Sequence, residues 1–170
     1  ENRGPMPRSL RPLMLDWVFG CDICQDVCPV NLKAAPTREE AFNTGRYSTL
    51  ELQSLLEMTE EEFRQRFRDS PIKRAKRVGL QRNACVALGN SGDMAGVPAL
   101  AGALRETEPL VRGHAAWALG RIGGEDAIRA LEQALAQERE PQVLEEIREA
   151  LQEAESPAAR EAVVRQAEPR

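Results

Sequence analysis

Asn83-Ala-Cys-Val-Ala-Leu-Gly-Asn-Ser-Gly92 recurs 31 residues later as His114-Ala-Ala-Trp-Ala-Leu-Gly-Arg-Ile-Gly123. The same offset pairs Val97 with Ile128, Leu100 with Leu131 and Leu104 with Leu135. A third copy starts at Pro141, 32 residues after Pro109, and sets Val143, Ile147, Ala150 and Leu151 opposite Val111, Ala115, Ala118 and Leu119. Each unit reads as helix, glycine-rich turn, helix. A unit of this size cannot bury its apolar face alone, so the copies must stack on one another as an α-solenoid. Alanine at facing positions lets helices approach closely, and Gly89, Gly92, Gly120 and Gly123 are expected to serve turns that need a positive φ. The fold class that follows is all-α.

Paired short helices at this period resemble short HEAT repeats, which places a HEAT-like repeat domain over residues 76–170, with about three hairpins. Within it Cys85 aligns with Ala116, so it is expected to be a small core residue rather than a ligand. His114, a lone helical histidine, is expected to be structural.

Outward from the repeats, Ser70-Pro71 combines an N-cap with a proline at the first helical position. Thr59-Glu-Glu-Glu62 reads as a capping box opening a short helix, with Phe63 and Phe67 on one face. Leu50, Leu52, Leu55 and Leu56 predict another helix, capped by Ser48 or Thr49. Residues 37–75 therefore form a helical connector. Further back, Leu10, Leu13, Met14 and Trp17 predict a short helix between Arg8 and Phe19, and the stretch from Pro29 to Pro36 has no period and is expected to be a loop.

The chain has 170 residues, 42% of them hydrophobic and 29% charged, with aromatics at 4%. That is a globular composition whose core must be built from Leu, Ala and Val. The net charge of −4 is unevenly spread. Residues 64–82 hold eight basic side chains against the one acid Asp69, whereas 125–170 hold twelve acids against six bases. The basic end is where a polyanion would land. No run of 18 apolar residues is present, no membrane contact is expected, and no signal peptide is visible. The polar start Glu1-Asn-Arg-Gly-Pro, without an initiator methionine, leads us to expect a preceding N-terminal portion.

Residues 20–31, Gly-Cys-Asp-Ile-Cys-Gln-Asp-Val-Cys-Pro-Val-Asn, hold three of the four cysteines. Cys21, Cys24 and Cys28 with Pro29 match the end of the ferredoxin run C-x2-C-x2-C-x3-C-P, whose first cysteine would fall at Val18. In two-cluster ferredoxins the proline-adjacent cysteine ligates the other cluster. A zinc site and a redox dithiol also use thiolates, but zinc usually takes a second Cys or His pair, and a dithiol needs a βαβ setting. The proline favours iron–sulfur. Two [4Fe–4S] clusters need eight thiolates and the chain has four cysteines, so either ligands from outside the chain complete the clusters or the clusters are not here. Trp17 and Phe19 are expected to pack over a cluster and exclude water. Thiols kept for metal suit a reducing cytoplasm.

Between cysteines and repeats, Ser70-Pro-Ile-Lys-Arg-Ala-Lys-Arg-Val-Gly-Leu-Gln-Arg-Asn83 offers Lys73, Arg74, Lys76, Arg77 and Arg82 as an RNA-binding segment, the alternative being a solvated helix face.

Taken in order, Glu1-Asn-Arg-Gly-Pro, Leu10-Arg-Pro, the cysteine segment, Ser70-Pro-Ile-Lys-Arg, Arg82-Asn and the repeats resemble the C-terminal half of the epoxyqueuosine reductases. Val30 stands where that family tends to have tryptophan. The resemblance implies that residues 1–36 are the C-terminal part of a ferredoxin-like module holding [4Fe–4S] clusters. Cys21 and Cys24 would serve one cluster and Cys28 the other, with cobalamin bound by a domain outside this chain. It further implies an oxidoreductase that reduces epoxyqueuosine to queuosine in the anticodon of tRNAs with a GUN anticodon. Such an enzyme would be fed by an external electron donor and work as a cytoplasmic monomer. No catalytic residue falls in this chain. A non-enzymatic HEAT-repeat scaffold with a structural metal or electron-transfer site is the alternative.

Overall fold

The computed structural model describes residues 2–40 and 50–156, and all regular structure among them is helical. In order these are α1 (Ile23–Asp26), α2 (Leu52–Glu57), α3 (Glu60–Arg66), α4 (Lys76–Ser91), α5 (Val97–Ala103), α6 (Pro109–Ile122), α7 (Glu125–Gln137) and α8 (Pro141–Ala154). Short 3-10 turns at Arg8–Leu10, Pro12–Met14, Asn31–Lys33, Pro71–Ala75 and Met94–Gly96 join them.

Helices α4 and α5 make the first hairpin, α6 and α7 the second, and α8 opens the third, whose second helix would lie outside the described residues. The core is built from small and branched residues at the repeat positions. Ala84, Leu100, Val111, Ala115, Ala118, Leu119, Leu131, Ile147 and Ala150 are at most 1% exposed. The connector shares this core: Leu55, Leu56, Phe63 and Phe67 are buried with the first repeat, the two rings packed 5.2 Å apart.

The four repeat glycines divide into two kinds. Gly92 and Gly123 take φ of 68° and 70° at the helix ends, as expected of turn glycines. Gly89 and Gly120 lie inside α4 and α6 and do no turning. A Cβ on Gly89 would lie 2.9 Å from the Ala118 Cα and the Trp117 ring, and one on Gly120 would lie 2.7 Å from the Ala150 Cα. These two glycines are contact points between neighbouring first helices, so their assignment to turns is corrected.

The expected capping box is present: Thr59 Oγ1 accepts from the Glu62 amide and the Glu62 carboxylate accepts from the Thr59 amide. Ser70 caps its turn by accepting from the Ile72 amide at 3.2 Å. The cap expected at Ser48 or Thr49 lies outside the described residues, and α2 begins at Leu52. The single helix expected between Arg8 and Phe19 is replaced by two 3-10 turns. Pro12 brings no N–H to an α-helical ladder, and Leu15, with φ 49°, ends the second turn. Pro29 to Pro36 is irregular apart from the turn Asn31–Lys33.

Candidate functional site

The cysteine segment is held by very short elements. Gly20 (φ 66°) turns the chain into it, Asp22 (φ 48°) precedes α1, and Cys28 follows α1. Cys21 and Cys24 are exposed, Cys28 is half-buried, and all three are free thiols. The backbone amides of Asn31 and Val30 face the Cys28 sulfur and hold its pKa below the ordinary thiol value. Among the described residues no three His, Cys, Asp or Glu side chains converge as a metal-holding group. As a donor set, three unpaired thiols, one biased towards thiolate by backbone amides, suit a thiophilic centre such as an iron–sulfur cluster.

The basic segment splits by environment. Lys73, Arg74 and Lys76 are exposed, and Lys73 Nζ donates to the Arg68 carbonyl at 3.3 Å while Arg74 Nε donates to the Pro71 carbonyl at 3.4 Å. Lys76 sits at φ 62°, a conformation that costs a non-glycine residue about 1–3 kcal/mol, where the 3-10 turn runs into α4. Arg77 is 14% exposed and pairs with Glu106 at 3.0 Å. Burial raises the Glu106 pKa, but the hydrogen bond and charge of Arg77 outweigh it, and the net shift is downwards. Arg82 is buried, and its guanidinium donates to the carbonyls of Asn2 at 2.9 Å and Gly4 at 2.7 Å and to Asn83 Oδ1. Three of the five basic residues therefore face solvent.

Cys21 and Arg74, about fifty residues apart in sequence, line the same cleft, while Cys24 and Cys28 are not part of its lining. Met14, Trp17, Phe19, Cys21, Arg74 and Arg82 line one cleft of about 580 Å³. Trp17 and Phe19 are half-buried there.

Cys85 and His114 lie outside this cleft. Cys85 is wholly buried, which raises its thiol pKa strongly. Burial, and then the charge of Arg11, lowers the His114 pKa to about 4, so the ring is neutral at pH 7. Sequence reasoning missed Arg11, 2% exposed, which donates to the Met6 carbonyl at 2.9 Å and lies 5.4 Å over the Trp117 ring. It also missed Arg8, which pairs with Glu146, Glu149 and Glu153. The only signal for either was the acidic run on α8, far away in sequence.

The family model described as HEAT repeats matches residues 72–152. An uncharacterised protein of Geobacillus stearothermophilus is 33% identical over 149 residues, 86% of this chain and 69% of that protein. The epoxyqueuosine reductase of Listeria monocytogenes is 36% identical over 144 residues, 84% of this chain and 38% of that protein. A crystal structure of epoxyqueuosine reductase with an epoxyqueuosine-modified tRNA-Tyr stem loop superposes with a TM-score of 0.84 and 28% identity, covering 91% of this chain and 42% of that one. The chain thus spans about two fifths of the length of the reductases it matches.

Proposed function

We propose that the chain, which is similar to the epoxyqueuosine reductases over part of their length, is the portion of such a reductase that contributes cluster thiolates and an RNA-binding edge. The observation that carries this reading is the shared cleft, where Cys21 and Arg74 line one surface. An electron-transfer centre and a polyanion grip then stand side by side.

Cys21 and Cys24 would ligate one [4Fe–4S] cluster and Cys28 another, the remaining thiolates coming from parts of the reductase outside this chain. A cluster so held would supply one-electron transfer, and cobalamin, held by a part of the reductase outside this chain, would supply the reducing chemistry for epoxyqueuosine. The work of this chain's own residues is binding and orientation. The amides of Asn31 and Val30 lower the Cys28 pKa and so favour its ligating form. Trp17 and Phe19 wall the cleft beside Cys21 and limit water there. Lys73, Arg74 and Lys76 would contact tRNA phosphates, while Arg77 and Arg82, committed to Glu106 and to backbone carbonyls, hold that edge in shape. Phosphate contacts position a nucleic acid without reading its sequence, so this edge would grip different tRNAs alike. A soluble cytoplasmic setting and an external electron donor complete the proposal; no described helix is long and apolar enough to cross a membrane.

Two measurements test it. Lys73→Ala combined with Arg74→Ala should lower the magnitude of the slope of log affinity for tRNA against log salt by about 1.4 to 1.8 units at unchanged melting temperature. An unchanged slope rejects phosphate contact. In the full-length protein, reconstituted with iron and sulfide under anaerobic conditions, Cys28→Ser should remove a different spectroscopic centre from Cys21→Ser or Cys24→Ser. Absence of iron and labile sulfide would favour the scaffold reading instead.

A further inference from the structure

We infer that the face formed by α4, α6 and α8 is a docking groove whose occupant is the chain's own residues 2–18. Asn83, His114 and Glu146 are then the positioning residues that decide where Cys21 stands.

These three residues occupy the same place in the three repeats. Asn83 precedes Ala84 as His114 precedes Ala115 and Glu146 precedes Ile147. Each holds the segment by its own chemistry. Asn83 Nδ2 donates to the Val18 carbonyl at 2.7 Å. His114 Nε2 accepts the Met6 amide at 3.1 Å, its other nitrogen fixed on the Leu110 carbonyl at 2.8 Å. The Glu146 carboxylate accepts from both terminal nitrogens of Arg11 and from Arg8. Two turns further along the same helices the pattern recurs: Asn90 donates to the carbonyls of Arg11 and Leu15, both at 2.8 Å, and Glu153 pairs with Arg8 at 3.1 Å.

The occupant suits such a groove. Residues 2–18 contain Pro5, Pro7 and Pro12 and form only isolated 3-10 turns, so many of their backbone groups find partners only on the solenoid. The segment leaves α4 where Arg82 holds Asn2 and Gly4, crosses α6 at Met6, reaches α8 at Arg8 and Arg11, and returns to α4 at Asn90 and Asn83. Cys21 emerges three residues after the last anchor, beside the basic turn. In solenoids this kind of extended surface is what binds partners. Here it is taken in cis, so a tRNA or protein could use it only by displacing the loop, which leaves the Lys73–Lys76 edge as the open surface. The docking stands on these bonds and on the packing of Met6, Met14 and Val18 against the core; only its use in placing a cluster beside RNA rests on the proposed function.

Hydrogen exchange by mass spectrometry on the 170-residue chain at pH 7 tests the docking without iron or RNA. His114→Leu removes the acceptor for Met6 and should speed exchange in residues 2–19 by about tenfold or more, with α6 and α8 unchanged. His114→Gln, which offers an acceptor at the same reach, should restore protection. Asn83→Ala should speed exchange in the return limb up to Cys21, and it decides the matter should His114→Leu fail to fold. Unchanged exchange in residues 2–19 in these variants overturns the inference. So does an equal rise in the loop and in α6 and α8, because the residues would then merely support the core.

Discussion

Where α6 meets α8 the backbones are so close that Gly120 cannot accept a methyl group, whereas from Pro12 to Glu40 no residue is buried. The two regions obey different rules. The solenoid is specified by shape: small residues at repeating positions force one spacing, and the core follows. The cysteine segment has no such core of its own. Among the described residues every exposed large apolar side chain except Met94 lies between Leu10 and Leu32. That segment is placed by polar anchors on its neighbour, and its side chains are left for other tasks.

The contrast can be broken or sharpened by mutation. The largest effect is expected for Gly120→Ala, whose new Cβ would meet the Cα, Cβ and carbonyl oxygen of Ala150 within 2.8 Å. Denaturant unfolding should show a loss of about 3 kcal/mol, the upper range for overpacking. Gly102→Ala, a helical glycine with open space around it, should instead be neutral or stabilising by up to about 1 kcal/mol. Equal costs at the two sites would remove close approach as the organising feature.

Next comes pH. His114 titrates near 6.5 when unfolded but only at about 4 when folded. Between those values the unfolded chain binds more protons, so stability falls as pH drops from about 6.5 to about 4. The loss approaches about 3 kcal/mol, its largest cause the burial of the ring. Comparing the pH dependence of the parent with that of His114→Gln isolates the effect, since the variant should lack this slope.

A smaller effect separates the cysteines. Cys85→Ser puts a hydroxyl into a wholly buried site and should cost about 1–3 kcal/mol. Serine at Cys21, Cys24 or Cys28 in the metal-free chain should change stability by less than about 0.5 kcal/mol. Alkylation before unfolding should label those three and spare Cys85, which reacts only after denaturation.

Much of the solenoid was legible because its determinants are periodic. The 31-residue offset located the hairpins, and alignment with Ala116 was enough to read Cys85 as core. The roles of Gly89 and Gly120 were not legible, because a glycine needed for a turn and one needed for close approach look alike until the facing helix is known. Leu10, Leu13, Met14 and Trp17 mimicked a helical face, yet Pro12 breaks it, and the segment takes its shape from contacts with α4, α6 and α8. At the candidate site the residue types could be read, but not which of them were already committed. Arg82 counts as charge in a basic run, but its partners are backbone carbonyls 78 and 80 residues away. Arg77 likewise answers to Glu106, 29 residues downstream.

The loop has a consequence for how the molecule folds. A row of stacked repeats is close to a one-dimensional chain of nearest-neighbour couplings, able to fray from either end. Residues 2–18 tie the first repeat to the third through bonds such as Arg11 to Glu146 and Arg8 to Glu153, separated by 135 and 145 positions in sequence. That closes the row into a ring of couplings. Such distant contacts slow folding, since a long stretch of chain must be ordered before they form. Once made, they oppose opening of α8, so the third repeat should open together with the first two rather than ahead of them.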